Sequence, residues 1–199
     1  MYSDRTGLIL AFHGCDIKVR DNVIAGSEQL RKSNNPYDWL GNGIYFWENS
    51  PARALDFSEE LKKHSKKRTQ KINTPSVLGA IIDLKHCLDL TEFKNLKILK
   101  SGYDSLSDML KTEGLKMPEN NNIGKSKDLL MRHLDCAVIE TIHQNNDMSN
   151  RYDSVRGMFI EGDCPYPNAG FKEKNHIQIC IRNPNCIKGY FLPRELVKF

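Results

Sequence analysis

The sequence predicts an α+β fold, because strand-like segments and amphipathic helices are mixed along its 199 residues without a regular β-α-β alternation. Continuous apolar runs at residues 7–12, 44–47 and 77–84 are typical of buried strands. Residues 176–181 alternate strictly, with isoleucines on one face and polar or thiol side chains on the other. Residues 126–144 repeat apolar side chains at helical spacing. We find no repeat or linker and therefore expect one domain, 1–199.

Two of the predicted strands carry glycine at one end. The run at residues 7–12 is expected to end at His13 and Gly14. A tight turn is predicted at residues 41–43, where two glycines flank an asparagine, and it leads directly into the run at 44–47. Because glycine leaves the backbone bare, both strand ends are candidate ligand sites.

A helix is predicted to begin at Ser50 and Pro51, since serine caps free backbone N–H groups and proline suits the first helical position. Its end is basic, which indicates either a solvated helix end or a surface that faces phosphate groups. The basic residues are Lys62, Lys63, Lys66, Lys67, Arg68 and Lys71.

The second half of the chain is predicted to contain helices, strands and one long loop. Residues 91–110 read as one or two helices, interrupted near Gly102. The remaining predictions are a helix at 126–144, strands at 155–161, 176–181 and 186–192, and a loop at 162–174.

The composition is that of a soluble globular protein, with 39% hydrophobic residues and a net charge of +4. The six cysteines form no CxxC pair and no cluster with zinc-ligand spacing, so we expect no metal site. No signal peptide or apolar run of membrane-spanning length is present. We therefore expect a cytoplasmic protein with reduced thiols and no membrane partner; a secreted disulfide protein is the alternative.

Taken together, three motifs resemble the ADP-ribosyltransferase superfamily. They are His13-Gly14 at a strand end, the segment LGNGIYFWENSPARALDF at residues 40–57, and the strand HIQICI at 176–181. The resemblance is closest to the branch with poly-ADP-ribose-polymerase-like signatures, in which His, Tyr and Glu (or a substitute) lie on separate strands. It implies a split β-sandwich with flanking helices and NAD+ as co-substrate.

The resemblance also implies roles for four residues around NAD. His13 would hydrogen-bond a hydroxyl of the adenine ribose. The backbone of Gly14 would hold the nicotinamide amide, and its missing side chain would let the ring approach. Tyr45 would stack on the nicotinamide, and Phe57 would form the opposite wall. The alternatives are a satisfied core histidine at position 13 and core aromatic residues at positions 45 and 57.

At the third motif this chain carries Gln178 where the family has glutamate. Glutamine keeps a hydrogen bond to the nicotinamide ribose but loses the charge that stabilises the oxocarbenium ion, which disfavours polymer elongation. Glu161 is a candidate general base or ribose ligand, with a solvated strand end as the alternative. Arg156 is a candidate for the NAD diphosphate, with a surface ion pair as the alternative.

We therefore expect a mono-ADP-ribosyltransferase with catalytic residues His13, Tyr45, Gln178 and Glu161. The acceptor is a macromolecule, and nucleic acid (RNA or DNA) is favoured slightly over protein because of the basic run and the aromatic loop residues. The chain also looks like bacterial toxins of toxin–antitoxin or phage-defence systems, which usually need a neutralising partner protein. The alternatives are a non-catalytic NAD- or ADP-ribose-binding module and an NAD glycohydrolase.

Overall fold

The computed structural model describes residues 7–63, 71–124, 127–147 and 150–194. These residues contain nine strands and four α-helices in mixed order, which confirms the predicted α+β class. The strands are β1 (Ile9–Asp16), β2 (Ile44–Glu48), β3 (Pro75–Ile82), β4 (Cys87–Asp89), β5 (Asn120–Asn121), β6 (Met131–Arg132), β7 (Ser154–Phe159), β8 (His176–Ile181) and β9 (Ile187–Phe191). The helices are α1 (Ile17–Ile24), α2 (Pro51–Lys63), α3 (Asn95–Thr112) and α4 (His133–Asn145).

Seven strands form a mixed sheet in the order β4-β7-β8-β2-β1-β3-β9, and β5 and β6 form a separate pair. Packing divides the chain into two compact units. The first unit comprises the described residues of Met1–Arg31, Phe46–Lys85 and Pro184–Phe199. The second unit comprises those of Lys32–Tyr45 and His86–Asn183.

In the first unit, β1 is longer than predicted. The expected strand end at His13 and Gly14 is wrong, because β1 pairs antiparallel with β3 as far as Asp16. Strand β1 also pairs antiparallel with β2, at Ala11 and Phe12. The Asp16 carboxylate then accepts the backbone N–H of Lys18, which caps α1 and ends the strand.

Helix α2 begins at Pro51, as predicted, with the hydroxyl of Ser50 accepting the backbone N–H of Arg53 at 3.4 Å. It packs closely on β1 where Gly14 lies. A Cβ added to Gly14 would overlap the carbonyl oxygen of Ala54 and lie 3.0 Å from its carbonyl carbon. The missing side chain at Gly14 is therefore required by the helix backbone that crosses it.

In the second unit, β7 and β8 pair antiparallel over six residue pairs, and β4 adds to β7 in parallel. The predicted interruption of α3 at Gly102 is wrong, because α3 is continuous and a Cβ at Gly102 would overlap Ile142 of α4. Helix α4 begins at His133 rather than at residue 126. Asn120 sets this start, since its side-chain oxygen accepts the backbone N–H groups of Leu134 and Asp135.

The basic run is described only in part. Lys62 and Lys63 at the end of α2 are exposed, as is Lys71. Lys66, Lys67 and Arg68 lie outside the described residues. Within the described part of the chain, no helix is long and apolar enough to cross a membrane.

Candidate functional site

The turn at residues 41–43 is held by an ion pair of the second unit. Glu140 accepts the backbone N–H of Asn42 at 2.8 Å, and Arg182 donates to the Asn42 carbonyl at 3.1 Å. Arg182 and Glu140 are joined to each other by two hydrogen bonds. Gly41 has a φ of +75°, and a Cβ there would overlap the Glu140 carboxylate. Both the backbone conformation and the carboxylate therefore require glycine at position 41.

The same ion pair sets the pKa of Glu140. Burial alone would raise this pKa, but the hydrogen bonds from Arg182 and Asn42 and the charge of Arg182 outweigh burial, so the pKa is lowered from its ordinary 4.5. A carboxyl group whose pKa is lowered by folding stabilises the folded state above its unfolded pKa. That contribution is lost as pH falls from 4.5 through the lower, folded pKa.

Glu140→Gln is therefore expected to cost about 1–3 kcal/mol of unfolding free energy at pH 7, because Arg182 loses its charged partner. The difference from wild type should shrink as pH falls below 4.5, where Glu140 itself becomes neutral. Urea unfolding of both proteins at several pH values between about 3 and 7, a range that spans the ordinary carboxyl pKa, measures this difference in unfolding free energy. A difference that stays constant across this range would contradict the role given to the ion pair.

Tyr45 lies on β2 directly after this turn, and its hydroxyl is fully engaged. The hydroxyl accepts the backbone N–H of Leu40 at 2.9 Å and donates to the Gly41 carbonyl at 2.5 Å. The thiol of Cys180 on β8 shares that carbonyl at 3.5 Å. Burial raises the pKa of Tyr45 well above its ordinary value, so the phenol is neutral at physiological pH. Its hydroxyl thus fixes the turn, and stacking on nicotinamide stays a prediction for its ring.

Tyr45→Phe separates these two roles, because phenylalanine keeps the ring and loses both hydrogen bonds. We expect a loss of about 1–3 kcal/mol of unfolding free energy, since the Leu40 N–H is left without its acceptor. If the chain releases nicotinamide from NAD, as the resemblance implies, most of that release should remain in Tyr45→Phe. Tyr45→Leu, which removes the ring as well, is expected to lose it. Equal nicotinamide release by the Phe and Leu variants would show that the ring plays no part.

Gln178 lies on β8 opposite Gly157 of β7, on the same face of the strand as His176 and Cys180. It is only 8% exposed. Its amide oxygen is buried, and no described residue donates a hydrogen bond to it. A buried acceptor without a partner costs about 1–3 kcal/mol, so folding alone does not explain this side chain. A hydroxyl or N–H group of a ligand would satisfy it after the side chains that cover the oxygen move aside.

Arg156 has a structural partner. Its side chain is 2% exposed, and Nη1 donates to both carboxylate oxygens of Asp89 at 3.1 Å and to the Thr91 hydroxyl at 2.8 Å. The ion pair is thus buried, whereas the sequence suggested a surface pair as the alternative. With only 2% of its side chain exposed, Arg156 is closed to a diphosphate ligand, and drawing it away from Asp89 would remove that carboxylate's charged partner, which is costly.

Glu161 follows β7, which ends at Phe159, and it is 8% exposed. The alternative of a solvated strand end is therefore wrong. Its backbone carbonyl accepts the N–H of Lys174 at 2.9 Å, which closes the base of the loop at 162–174. Tyr166 and Phe171 of that loop are exposed.

The other three candidates, His13, Gly14 and Phe57, belong to the first unit. The His13 ring is half-buried and lies 5.7 Å from the Phe46 ring, centroid to centroid. Phe57 lies 4.8 Å from Trp47 and packs on the core cluster of that unit. These contacts fit the alternative of core packing for Phe57. The candidate residues therefore fall into two groups, one in each compact unit.

Sequence reasoning missed a cluster in the second unit that surrounds Arg132. The cluster joins segments far apart in the chain, so no local pattern indicates it. It consists of Arg132, Trp39, Phe159 and His176, which we call the Arg132 cluster. The second unit also has a cleft of about 350 Å³. None of the predicted residues lines it; its walls are Asn34, Pro36, Asn42, Pro118, His133, Cys136, Ala137 and Glu140.

Comparison with known proteins gives one relative. The chain is 25% identical, over 94% of its own length and 90% of the relative's, to "Uncharacterized protein MJ0359" of Methanocaldococcus jannaschii. No protein-family profile matches the chain. No solved structure matches it either.

Proposed function

We propose that this chain is an NAD-dependent mono-ADP-ribosyltransferase with an ADP-ribosyltransferase-like split β-sandwich. The observation that carries the proposal is the buried amide oxygen of Gln178, which has no donor among the described residues. It lies on the strand where the resemblance expects the group that holds the nicotinamide ribose. A ribose hydroxyl is a donor that would satisfy it.

The chemistry follows from a neutral amide at this position. The bond between C1′ of the ribose and the nicotinamide nitrogen breaks, and the electron pair leaves with nicotinamide. An acceptor oxygen or nitrogen then bonds to C1′ and gives up a proton, for which buried Glu161 is the proposed base. Gln178 orients the ribose through a hydrogen bond but adds no negative charge to stabilise the oxocarbenium ion. Slow, single transfer is the expected result.

The acceptor proposed is nucleic acid. Exposed lysines Lys62, Lys63 and Lys71 suit phosphate groups, and the exposed rings of Tyr166 and Phe171 suit stacking on bases. A protein acceptor is the competing outcome. We propose a toxin acting in the cytoplasm, neutralised by a partner protein.

Incubation with NAD labelled in its adenylate phosphate tests the proposal, with RNA, DNA and a cell protein extract offered separately. We expect label on nucleic acid together with stoichiometric release of nicotinamide. Label on protein alone would keep the transferase and replace its acceptor. Nicotinamide release without any labelled macromolecule would identify a glycohydrolase. Binding of intact NAD with neither event would identify a binding module and overturn the proposal.

A further inference from the structure

Arg132 is held in place by two aromatic rings and one carboxylate. Its guanidinium carbon lies 4.4 Å from the centroid of Trp39 and 4.9 Å from that of Phe159. Nη1 donates to the carboxylate of Asp135 at 3.2 Å. The side chain is 19% exposed. Cation–π contacts and one charged hydrogen bond thus fix where the guanidinium lies.

The other edge of this guanidinium has no protein partner among the described residues. Nη1 is bound to Asp135, whereas Nε and Nη2 form the forked edge that matches two oxygens of a phosphate or carboxylate. Nε is buried, and no described residue accepts its hydrogen bond. Leaving a charged donor desolvated and unpaired costs folding free energy.

The Arg132 cluster also lies beside Gln178, the residue proposed to bind the ribose. The Trp39 ring is stacked on the His176 ring, with centroids 6.1 Å apart, and Phe159 lies 5.7 Å from the same histidine. His176 is two residues before Gln178, on the same face of β8, which places their Cα atoms about 7 Å apart. A molecule that satisfies Gln178 is therefore within reach of the cluster. The Trp39 and Phe159 rings contact Arg132 and one another, so the cluster offers charge rather than a free stacking surface.

We propose that Arg132 is a phosphate-binding residue, whose Nε–Nη2 edge receives two oxygens of a phosphate group once the side chains that cover Nε move aside. Assigning that phosphate to NAD or to a nucleic-acid acceptor rests on the proposed function; the binding of phosphate itself does not. Arg132 would thus bind the phosphate group for which the sequence suggested Arg156. Arg156 itself is buried in an ion pair with Asp89. The Asp135 carboxylate reduces the net charge of the site.

Calorimetric titration of the protein with inorganic pyrophosphate tests this proposal without any reaction. Arg132→Gln is expected to weaken binding roughly 10- to 100-fold, the equivalent of about one charged hydrogen bond. Arg132→Lys keeps the charge but loses the fork, so we expect an intermediate loss. Arg151→Gln removes the same charge from an exposed site in the same unit and should change nothing. If Arg132→Gln does not fold, judged by its circular dichroism, Arg132→Lys carries the comparison.

Titrations with NAD and with a single-stranded oligonucleotide distinguish the source of the phosphate. If the ligand is the NAD diphosphate, Arg132→Gln weakens NAD and pyrophosphate alike. If it is the nucleic-acid backbone, the variant lowers the slope of log affinity against log salt by about 1 for the oligonucleotide. Pyrophosphate binding that is absent, or equal in wild type and both variants, would overturn the proposal. If the wild type never releases nicotinamide but Arg132→Gln still loses pyrophosphate binding, the phosphate site at Arg132 stands and the proposed transferase activity is rejected.

Discussion

Gln178→Leu is expected to abolish ADP-ribose transfer and to leave the folded protein as stable as the wild type or more stable. The reason is that the amide oxygen of Gln178 is buried without a donor in the described protein. Replacing Gln178 with an apolar side chain of similar size removes the desolvation cost of an oxygen that has no hydrogen-bond donor, about 1–3 kcal/mol. The ligand, however, loses the acceptor for its ribose hydroxyl. We expect nicotinamide release to fall by roughly 100-fold or more, as when one stabilising group in an active site is removed.

Gln144→Leu is the matched control, since it makes the same change at an exposed position of α4. It should leave the rate of nicotinamide release unchanged and alter the unfolding free energy by no more than about 0.5 kcal/mol. Thermal unfolding and nicotinamide release are measured on the wild type, Gln178→Leu and Gln144→Leu. A Gln178→Leu protein that is clearly less stable than wild type would show that the amide has a structural partner. Unchanged activity would remove Gln178 from the site.

Gly14→Ala is expected to destabilise the first unit. A Cβ at this position would overlap the Ala54 carbonyl oxygen and lie 3.3 Å from the Ser58 Cβ. Because the obstacle is helix backbone, α2 must shift away from β1, at a cost of about 1–3 kcal/mol or more. The displaced helix also carries Phe57 away from Trp47, which loosens the core of this unit. Because Gly14 is itself a proposed NAD-binding residue, nicotinamide release should fall together with stability.

Gly189→Ala in β9 is the matched control. Nothing lies within 4 Å of a Cβ built there, and alanine costs less backbone entropy than glycine in a strand. Its unfolding free energy, measured in urea, should equal or exceed that of wild type. If Gly14→Ala and Gly189→Ala behave alike, α2 does not pack on β1 as described.

Local patterns in the sequence predicted several elements well. The alternation of residues 176–181 gives β8 with the bounds observed, and Ser50-Pro51 gives the start of α2. Both depend on neighbours in sequence: strand periodicity in the first case, a cap and a fixed φ in the second. The turn at residues 41–43 was predicted for the same reason.

Features that depend on distant segments could not be predicted. The length of β1 depends on its pairing with β3, and the need for Gly14 depends on where α2 crosses. Arg156 is paired with Asp89, 67 positions away, so no local pattern separates it from a phosphate ligand. The Arg132 cluster likewise joins Trp39 to Phe159. The sequence thus names candidate residues, which stay predictions, whereas the partners of these residues are visible only in the structure.

The decisive experiment compares nicotinamide release from NAD between wild type and Gln178→Leu at equal concentrations of folded protein. We expect the wild type to release nicotinamide and the variant, although at least as stable, to do so at no more than about one hundredth of that rate. Equal rates of release, or no release by the wild type with any of the three acceptors, would contradict it.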